Sequence, residues 1–253
     1  MPFNRTQFVA VTADWAGVAD RTDSAATRTR GDPGLVPLDG TNFLTALAKP
    51  LTNTPTVDGN CGSSGTEYEG SDTYSNADVK FLLGRRSETQ FVFVCLEVTS
   101  DGSDNTADWG ELLFDQEHND PSTPQDNDRR FRMTRGGTFS QEKGDGSVWV
   151  SCGASCDSGN NAAPAFNNSK ETYEFKIRFS DIWGDITPQA NERAGFAVMA
   201  HNEGTADYTW GADNVNQDNP GTWGRLDIPE FPSMFTVFVL VVLGVLFFRP
   251  RRR

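Results

Sequence analysis

The sequence predicts an all-β protein, an antiparallel β-sandwich of jelly-roll-like build, followed by one C-terminal transmembrane helix. Three observations carry this prediction. Seven or more short runs of β-branched and aromatic residues are separated by Gly/Asp/Asn loops, and no long helical pattern interrupts them. In Tyr173 to Phe179, Tyr, Phe, Ile and Phe face one way and Glu, Lys and Arg the other, as in a strand with one buried face. The stretch from Met234 to Phe248 is apolar except for Thr236 and Gly244, and Arg249-Pro250-Arg251-Arg252-Arg253 follows it.

At 253 residues the chain suits one domain or at most two, with enough length to bury a core. Its averages conceal a division. The last 20 residues carry four arginines and no acid, so the formal net charge of −13 separates into +4 there and −17 in the rest. A body that acidic repels phosphate backbones, which excludes nucleic-acid binding.

Residues 1–54 read as a poorly structured N-terminal segment. Arg21 to Gly34 is charged and without period, and Thr41 to Lys49 suits a short helix capped by Asp39 or Thr41. Residues 55–228 form the sandwich. Expected strands are Val79–Leu83, Gln90–Val98, Trp109–Asp115, Arg129–Arg135, Gly146–Ser151, Tyr173–Phe179 and Gly195–His201. Ser180-Asp181-Ile182-Trp183 suits one helical turn capped by Ser180, and Pro220 to Ile228 suits the last strand. Residues 229–253 hold a Pro-rich junction, the apolar span and the basic end.

The span is apolar all round, as a helix in lipid is and a core helix is not. Fifteen residues give about 22 Å against a hydrocarbon core of about 30 Å. Phe231 to Ser233 and snorkelling arginines narrow that gap. Arginines stay cytoplasmic, which puts the acidic body outside the cell. Residues 1–30 contain no apolar run beyond Phe8-Val9-Ala10-Val11, so either the true start lies upstream, the alternative favoured, or export uses another route.

Four cysteines allow three pairings. Cys152 and Cys156 are close enough in a Gly/Ser/Asn-rich loop for a local disulfide, the pairing expected first. Cys61 and Cys95 stay open between a second bridge, a zinc site and, for Cys95 in its apolar run, a buried thiol. Asn4-Arg5-Thr6 and Asn167-Asn168-Ser169 are glycosylation sequons.

Pro229-Glu230-Phe231-Pro232, then the apolar span, then the arginine cluster, resembles the PEF-CTERM class of archaeal sorting tails. That resemblance implies recognition by an archaeosortase-like enzyme, which cleaves near the motif and passes the protein to a surface anchor. An uncleaved single-span anchor is the alternative. The two prolines keep the junction extended and accessible.

The body also has a familiar order of parts. Thr56-Val57-Asp58-Gly59, Glu67-Tyr68 and Ala77 to Leu82 open it. Phe91 to Val94 through Asp101, and Glu111 to Asp115, follow. Tyr173 to Ile177 and Gly195-Phe196-Ala197 close it. This resembles family 9 carbohydrate-binding modules and their DOMON-like relatives over residues 55 to 228. The resemblance implies a non-catalytic sandwich that binds polysaccharide or surface glycan between aromatic rings, often with structural calcium. Some relatives bind haem, which needs ligands on opposite sides of the iron. Met199 and His201 share one strand face, and Met133 with His201 has no other support, so haem is not expected.

Sugar recognition needs flat apolar faces flanked by hydrogen-bonding groups. Trp109, Trp210 and Trp223 lie near Asp/Asn/Gly-rich loops and are the candidate ligand-binding residues, against the competing reading of each as core. Oxygen ligands at alternate positions suit a calcium loop, which nominates Asp115, Glu117, Asn119, Asp126 and Asp128. A solvated acidic loop is the competing reading. Asp120 stands where an EF-hand loop needs glycine, so that loop type is excluded. With two histidines, no Gly-x-Ser-x-Gly elbow, no His-Glu-x-x-His and no phosphate loop, the chain is not read as an enzyme. The expected function is cell-surface carbohydrate binding; the alternative is a structural or adhesive envelope protein with no free-sugar ligand.

Overall fold

Alternating side chains along each strand leave one apolar face per sheet, and two such faces close on each other to form the core. The computed structural model describes residues 26–28, 45–62, 66–167, 170–184, 192–203, 206–210 and 215–228. The expected sorting motif Pro229-Glu230-Phe231-Pro232, the transmembrane helix, the basic end and most of the N-terminal segment lie outside these residues. No helix among the described residues is long and apolar enough to cross a membrane.

The first sheet runs β1 (Ala26–Arg28), β4 (Asp72–Asn76), β5 (Val79–Arg86), β6 (Phe91–Val98), β12 (Lys170–Arg178), β11 (Asn161–Asn167). The short β3 (Lys49–Pro50) adds to β5 in parallel. The second sheet runs β10 (Trp149–Ser151), β9 (Phe139–Gly144), β8 (Arg129–Thr134), β7 (Trp109–Asp115), β13 (Arg193–Asn202), β15 (Gly224–Asp227), β2 (Thr45–Leu47). There β14 (Ala206–Trp210) also pairs β13, and β15 pairs β2 in parallel. All other pairings are antiparallel.

The helix expected over Thr41 to Lys49 gives way to β2 and β3 from Thr45 onward. Ala46 and Ala48 are fully buried against the sandwich, so burial and strand pairing override a weak local preference for helix. The helical turn after β12 is α1 (Phe179–Trp183), but its N-cap is Arg178 rather than Ser180. Gly184, at φ +70°, ends it by donating its N–H to the Ser180 carbonyl.

Tyr173, Phe175 and Ile177 point into the core, as their alternation predicts, where they join Phe81, Phe114, Phe131, Phe196 and Trp210. The opposite face of β12 is not wet. Glu174 is fully buried beneath the segment that leads from β3 to β4. Its Oε2 accepts the backbone N–H groups of Asp58 and Gly59, both at 2.9 Å, and its Oε1 accepts the Tyr68 hydroxyl at 2.9 Å. Gly59 sits at φ +84°, and a Cβ there would lie 2.5 Å from the Pro164 carbonyl carbon, so only glycine lets the loop approach this closely.

Burial pushes the Glu174 carboxyl up to about 7, although three donors hold it back. A carboxyl with a folded pKa above its unfolded value opposes folding when ionised; its contribution therefore rises as pH falls through about 7 and is complete below about 4.5. The gain is up to about 3 kcal/mol over that window. Urea unfolding of the protein and its Glu174→Gln variant across pH 4 to 8 checks this. The difference between the two curves should carry that slope, and a pH-independent difference would refute it.

Two disulfides tie the fold. Cys152–Cys156 is the expected local bridge, with Cα atoms 5.6 Å apart. Cys61–Cys95, with Cα atoms 5.5 Å apart, staples the covering segment to β6. Cys95 is therefore not a free thiol, and no cysteine remains for zinc.

Candidate functional site

The face of the second sheet that points away from the core is built by the odd positions of β7 and β13 and the even positions of β8. It brings together Trp109, Glu111, Leu113, Arg130, Arg132, Ala197, Met199 and His201. Trp149 and Trp223 join the same face and pack with Leu113, Ala197 and Met199. The rings of Trp149 and Trp223 stack at 6.2 Å and 10°. Trp149 lies on β10 and Trp223 just before β15, five strand spacings away, which a flat arrangement would hold about 24 Å apart, so the sheet curls toward this face.

The loop preceding β15 lies across the curl. The Trp149 indole N–H donates to the Gln217 carbonyl at 3.2 Å, and that of Trp223 to the Asn216 carbonyl at 2.9 Å. Arg132 donates from Nη2 to the Gln217 side-chain oxygen at 3.1 Å and from Nε to Glu111 at 2.7 Å. Glu111 is fully buried, and its Oε1 has no hydrogen-bond partner. Burial raises its pKa, while Arg132 and Arg130 draw it back down. Arg130 also pairs with Glu142 and lies 5.1 Å above the Trp149 ring.

Trp109 stands between partners from the two neighbouring strands. The His201 ring stacks on it at 5.3 Å and 11°, and the Arg132 guanidinium lies 4.0 Å from its centroid. His201 faces Asp207 through Nδ1 at 2.5 Å and Glu203 through Nε2 at 3.2 Å. The Asp207 hydrogen bond raises the imidazole pKa, with Glu203 adding to it. Beside this stack opens a groove of about 470 Å³ lined by Met199, Asp207, Val215, Asn216 and Gln217. That volume lies within the range of about 300–1,000 Å³ typical of small-ligand sites. The amides and the carboxylate that line this groove can hydrogen-bond hydroxyl groups, and the neighbouring Trp109 indole is of the kind that stacks on apolar sugar faces.

Of the three nominated tryptophans, two reach this face. Trp109 is partly exposed there; Trp223 is on it but fully buried under the loop and Trp149. Trp210 is a core residue. On β14 it pairs with Val198, an inward position of β13, and its ring lies 4.9 Å from Phe81, 5.5 Å from Tyr74 and 5.8 Å from Phe196. At 1% exposure it offers no face to a ligand. Trp149, which completes the set, was readable as a strand tryptophan but not as a partner of Trp223.

The acidic loop does not gather as nominated. The Asp115 carboxylate accepts the backbone N–H groups of Glu117 and Asp120, both at 3.1 Å, and so closes its own turn. Positive φ at His118 and Asp120 brings these two beside Asp115 instead. Glu117 binds the Asn119 amide, Asp126 pairs with Lys143, and Asp128 accepts the Gln125 N–H at 2.7 Å. The recorded contacts of Glu117, Asn119, Asp126 and Asp128 are thus with other partners, Asp128 Oδ1 is left without one, and the grouping around Asp115 is with His118 and Asp120.

No family model and no curated protein matches the chain. Solved structures do. A family 9 carbohydrate-binding module from Caldicellulosiruptor kristjanssonii in complex with glucose aligns at TM-score 0.54 and 15% identity, covering 75% of this chain and 97% of that one. The same organism's module in complex with cellotriose aligns at 0.54 and 14%, covering 75% and 95%. The chain shares its fold with family 9 carbohydrate-binding modules.

Within this carbohydrate-binding-module fold the structure assembles a second acidic group that has no signature in sequence. Asp101 and Asp108, in the loop from β6 to β7, meet Glu171 at the start of β12, with one oxygen from each within 4.8 Å of the others. Pairing of β12 with β6 brings Glu171 opposite Val98 and so closes a gap of 70 positions. The Tyr173 hydroxyl donates to Glu171, whose carboxyl burial pushes up to about 8.

Proposed function

We propose that the protein is a non-catalytic, cell-surface carbohydrate-binding protein that takes a polysaccharide or surface glycan on the outer face of its second sheet. The observation that carries this reading is an open groove lined by Met199, Asp207, Val215, Asn216 and Gln217 beside the partly exposed Trp109 and its partners His201 and Arg132. The shared fold supports it, since the similar modules hold glucose and cellotriose. Surface anchoring belongs to the same reading. The PEF-type motif at Pro229 to Pro232, the apolar span and the arginines after it support an acidic body held outside the membrane, with an archaeosortase-like enzyme as processing partner.

One observation favours a second reading, a structural or adhesive envelope protein. Both partners of the Trp109 ring already cover it, so a sugar must displace His201 or Arg132 to stack there. Titration with glucose, cellotriose and soluble polysaccharides, followed by tryptophan fluorescence, separates the two. The binding reading expects a saturable change with at least one of them. A flat response to all would leave the structural reading standing.

A further inference from the structure

The two groups that cover the Trp109 ring differ in how firmly they are held. Arg132, 4.0 Å from the ring centroid, donates to Glu111 at 2.7 Å and to the Gln217 side chain at 3.1 Å. Glu111 is fully buried, and an ion pair with one partner out of water is costly to break. His201 covers the ring from the strand on the other side, at 5.3 Å and 11°. Its imidazole is tethered by Asp207 at Nδ1, 2.5 Å, and by Glu203 at Nε2, 3.2 Å. The side chains of these acids are 54% and 56% exposed, and ion pairs so open to water are weak. The stack therefore opens on the His201 side.

Asp207 has a second position. It lines the groove beside the stack, together with Met199, Asn216 and Gln217. A sugar hydroxyl that donates to Asp207 competes for the carboxylate that holds the imidazole over Trp109. Loss of that tether lets the His201 ring turn away, and the uncovered indole then meets an apolar sugar face. A neutral, hydroxyl-rich sugar suits this exchange. A uronate or sulfated sugar would bring a further negative charge against Asp207 and Glu203.

We propose that His201 is an internal cover of the glycan site, seated on Trp109 until a neutral sugar takes Asp207 and turns the imidazole out. The sugar's part rests on the carbohydrate-binding reading; the cover belongs to the free protein and is measured there.

Charge sets how firmly the cover sits. The groups that face His201 are Asp207 on β14, Glu203 in the turn after β13, Asp108 at the start of β7 and, across the Trp109 ring, Arg132 on β8. The hydrogen bond to Asp207, with Glu203 adding to it, raises the imidazole pKa above 6.5. A protonated ring donates to both acids, whereas a neutral ring donates to one. Turned out into water, the ring returns to its ordinary pKa of about 6.5. Opening therefore releases a proton between that value and the raised one, and sugar affinity rises with pH through this window.

Tryptophan emission of the full-length protein is followed from pH 5.5 to 9 without sugar, and cellotriose affinity is measured by calorimetry at both ends. The expected emission curve has a transition above pH 6.5 that is absent in His201→Ala and in Trp109→Phe, and that moves toward 6.5 in Asp207→Asn. Cellotriose should bind severalfold more tightly at pH 9 than at pH 5.5. The His201→Ala protein should bind it more tightly than the unsubstituted protein at pH 5.5 and lose the pH dependence. Cellotriose binding by His201→Ala alone would equally support the cover. An emission transition that survives in His201→Ala, or none at all, would overturn it. Equal cellotriose affinity in the two proteins at both pH values would overturn the displacement. Failure of both to bind cellotriose would count against the carbohydrate-binding reading and take the displacement with it, while the emission curve still decides the cover.

Discussion

Trp210→Ala is expected to lower stability by about 3–5 kcal/mol, the usual cost of emptying a large buried aromatic site. The ring fills the space between Tyr74, Phe81 and Phe196, where the two sheets meet, and no neighbour can collapse into so large a hole without breaking strand register. For a domain of this size about 2–4 °C is lost per kcal/mol, so the melting temperature should fall by on the order of 10 °C. Thermal and urea unfolding measure it. The variant, where folded, should keep the fluorescence response to glycan. A variant of unchanged stability that loses glycan binding would return Trp210 to the binding face and contradict the packing described above.

The opposite pattern is expected at Trp109. The residue is partly exposed even with His201 and Arg132 on its ring, and those two contacts are worth about 1 kcal/mol together, so Trp109→Ala should shift stability little. Its effect falls on binding. Removing an aromatic anchor at the centre of a recognition site costs about 2 kcal/mol or more, and the dissociation constant for a responsive glycan should rise at least about tenfold. Calorimetric titration of the folded variant measures this. Unchanged affinity would remove Trp109 from the site and move attention to the edge of the Trp149–Trp223 stack.

These two residues show where local sequence stops being informative. Both are strand tryptophans beside polar loops, and nothing in their neighbourhoods separates them. The difference is parity. Trp210 pairs with Val198, which points inward, while Trp109 pairs with His201, which points outward. A one-residue difference in register reverses the face, and register is set by the partner strand rather than by the segment itself. The acidic groups divide similarly. Asp115, Glu117, Asn119, Asp126 and Asp128 are close in sequence yet turn to separate partners, whereas Asp101, Asp108 and Glu171 meet only once β12 lies beside β6.

The sequence by itself determined the all-β class and the inward face of Tyr173, Phe175 and Ile177. It also determined the short-range bridge Cys152–Cys156, because a two-residue alternation and a separation of four positions are local geometry. Only the tertiary structure decided the Cys61–Cys95 pairing, the burial of Glu174, the opposite fates of Trp109 and Trp210, and the convergence of Asp101, Asp108 and Glu171. Each of those depends on which strand lies beside which. Antiparallel pairing joins residues dozens of positions apart, so their proximity is a property of the assembled sheets and of no single segment.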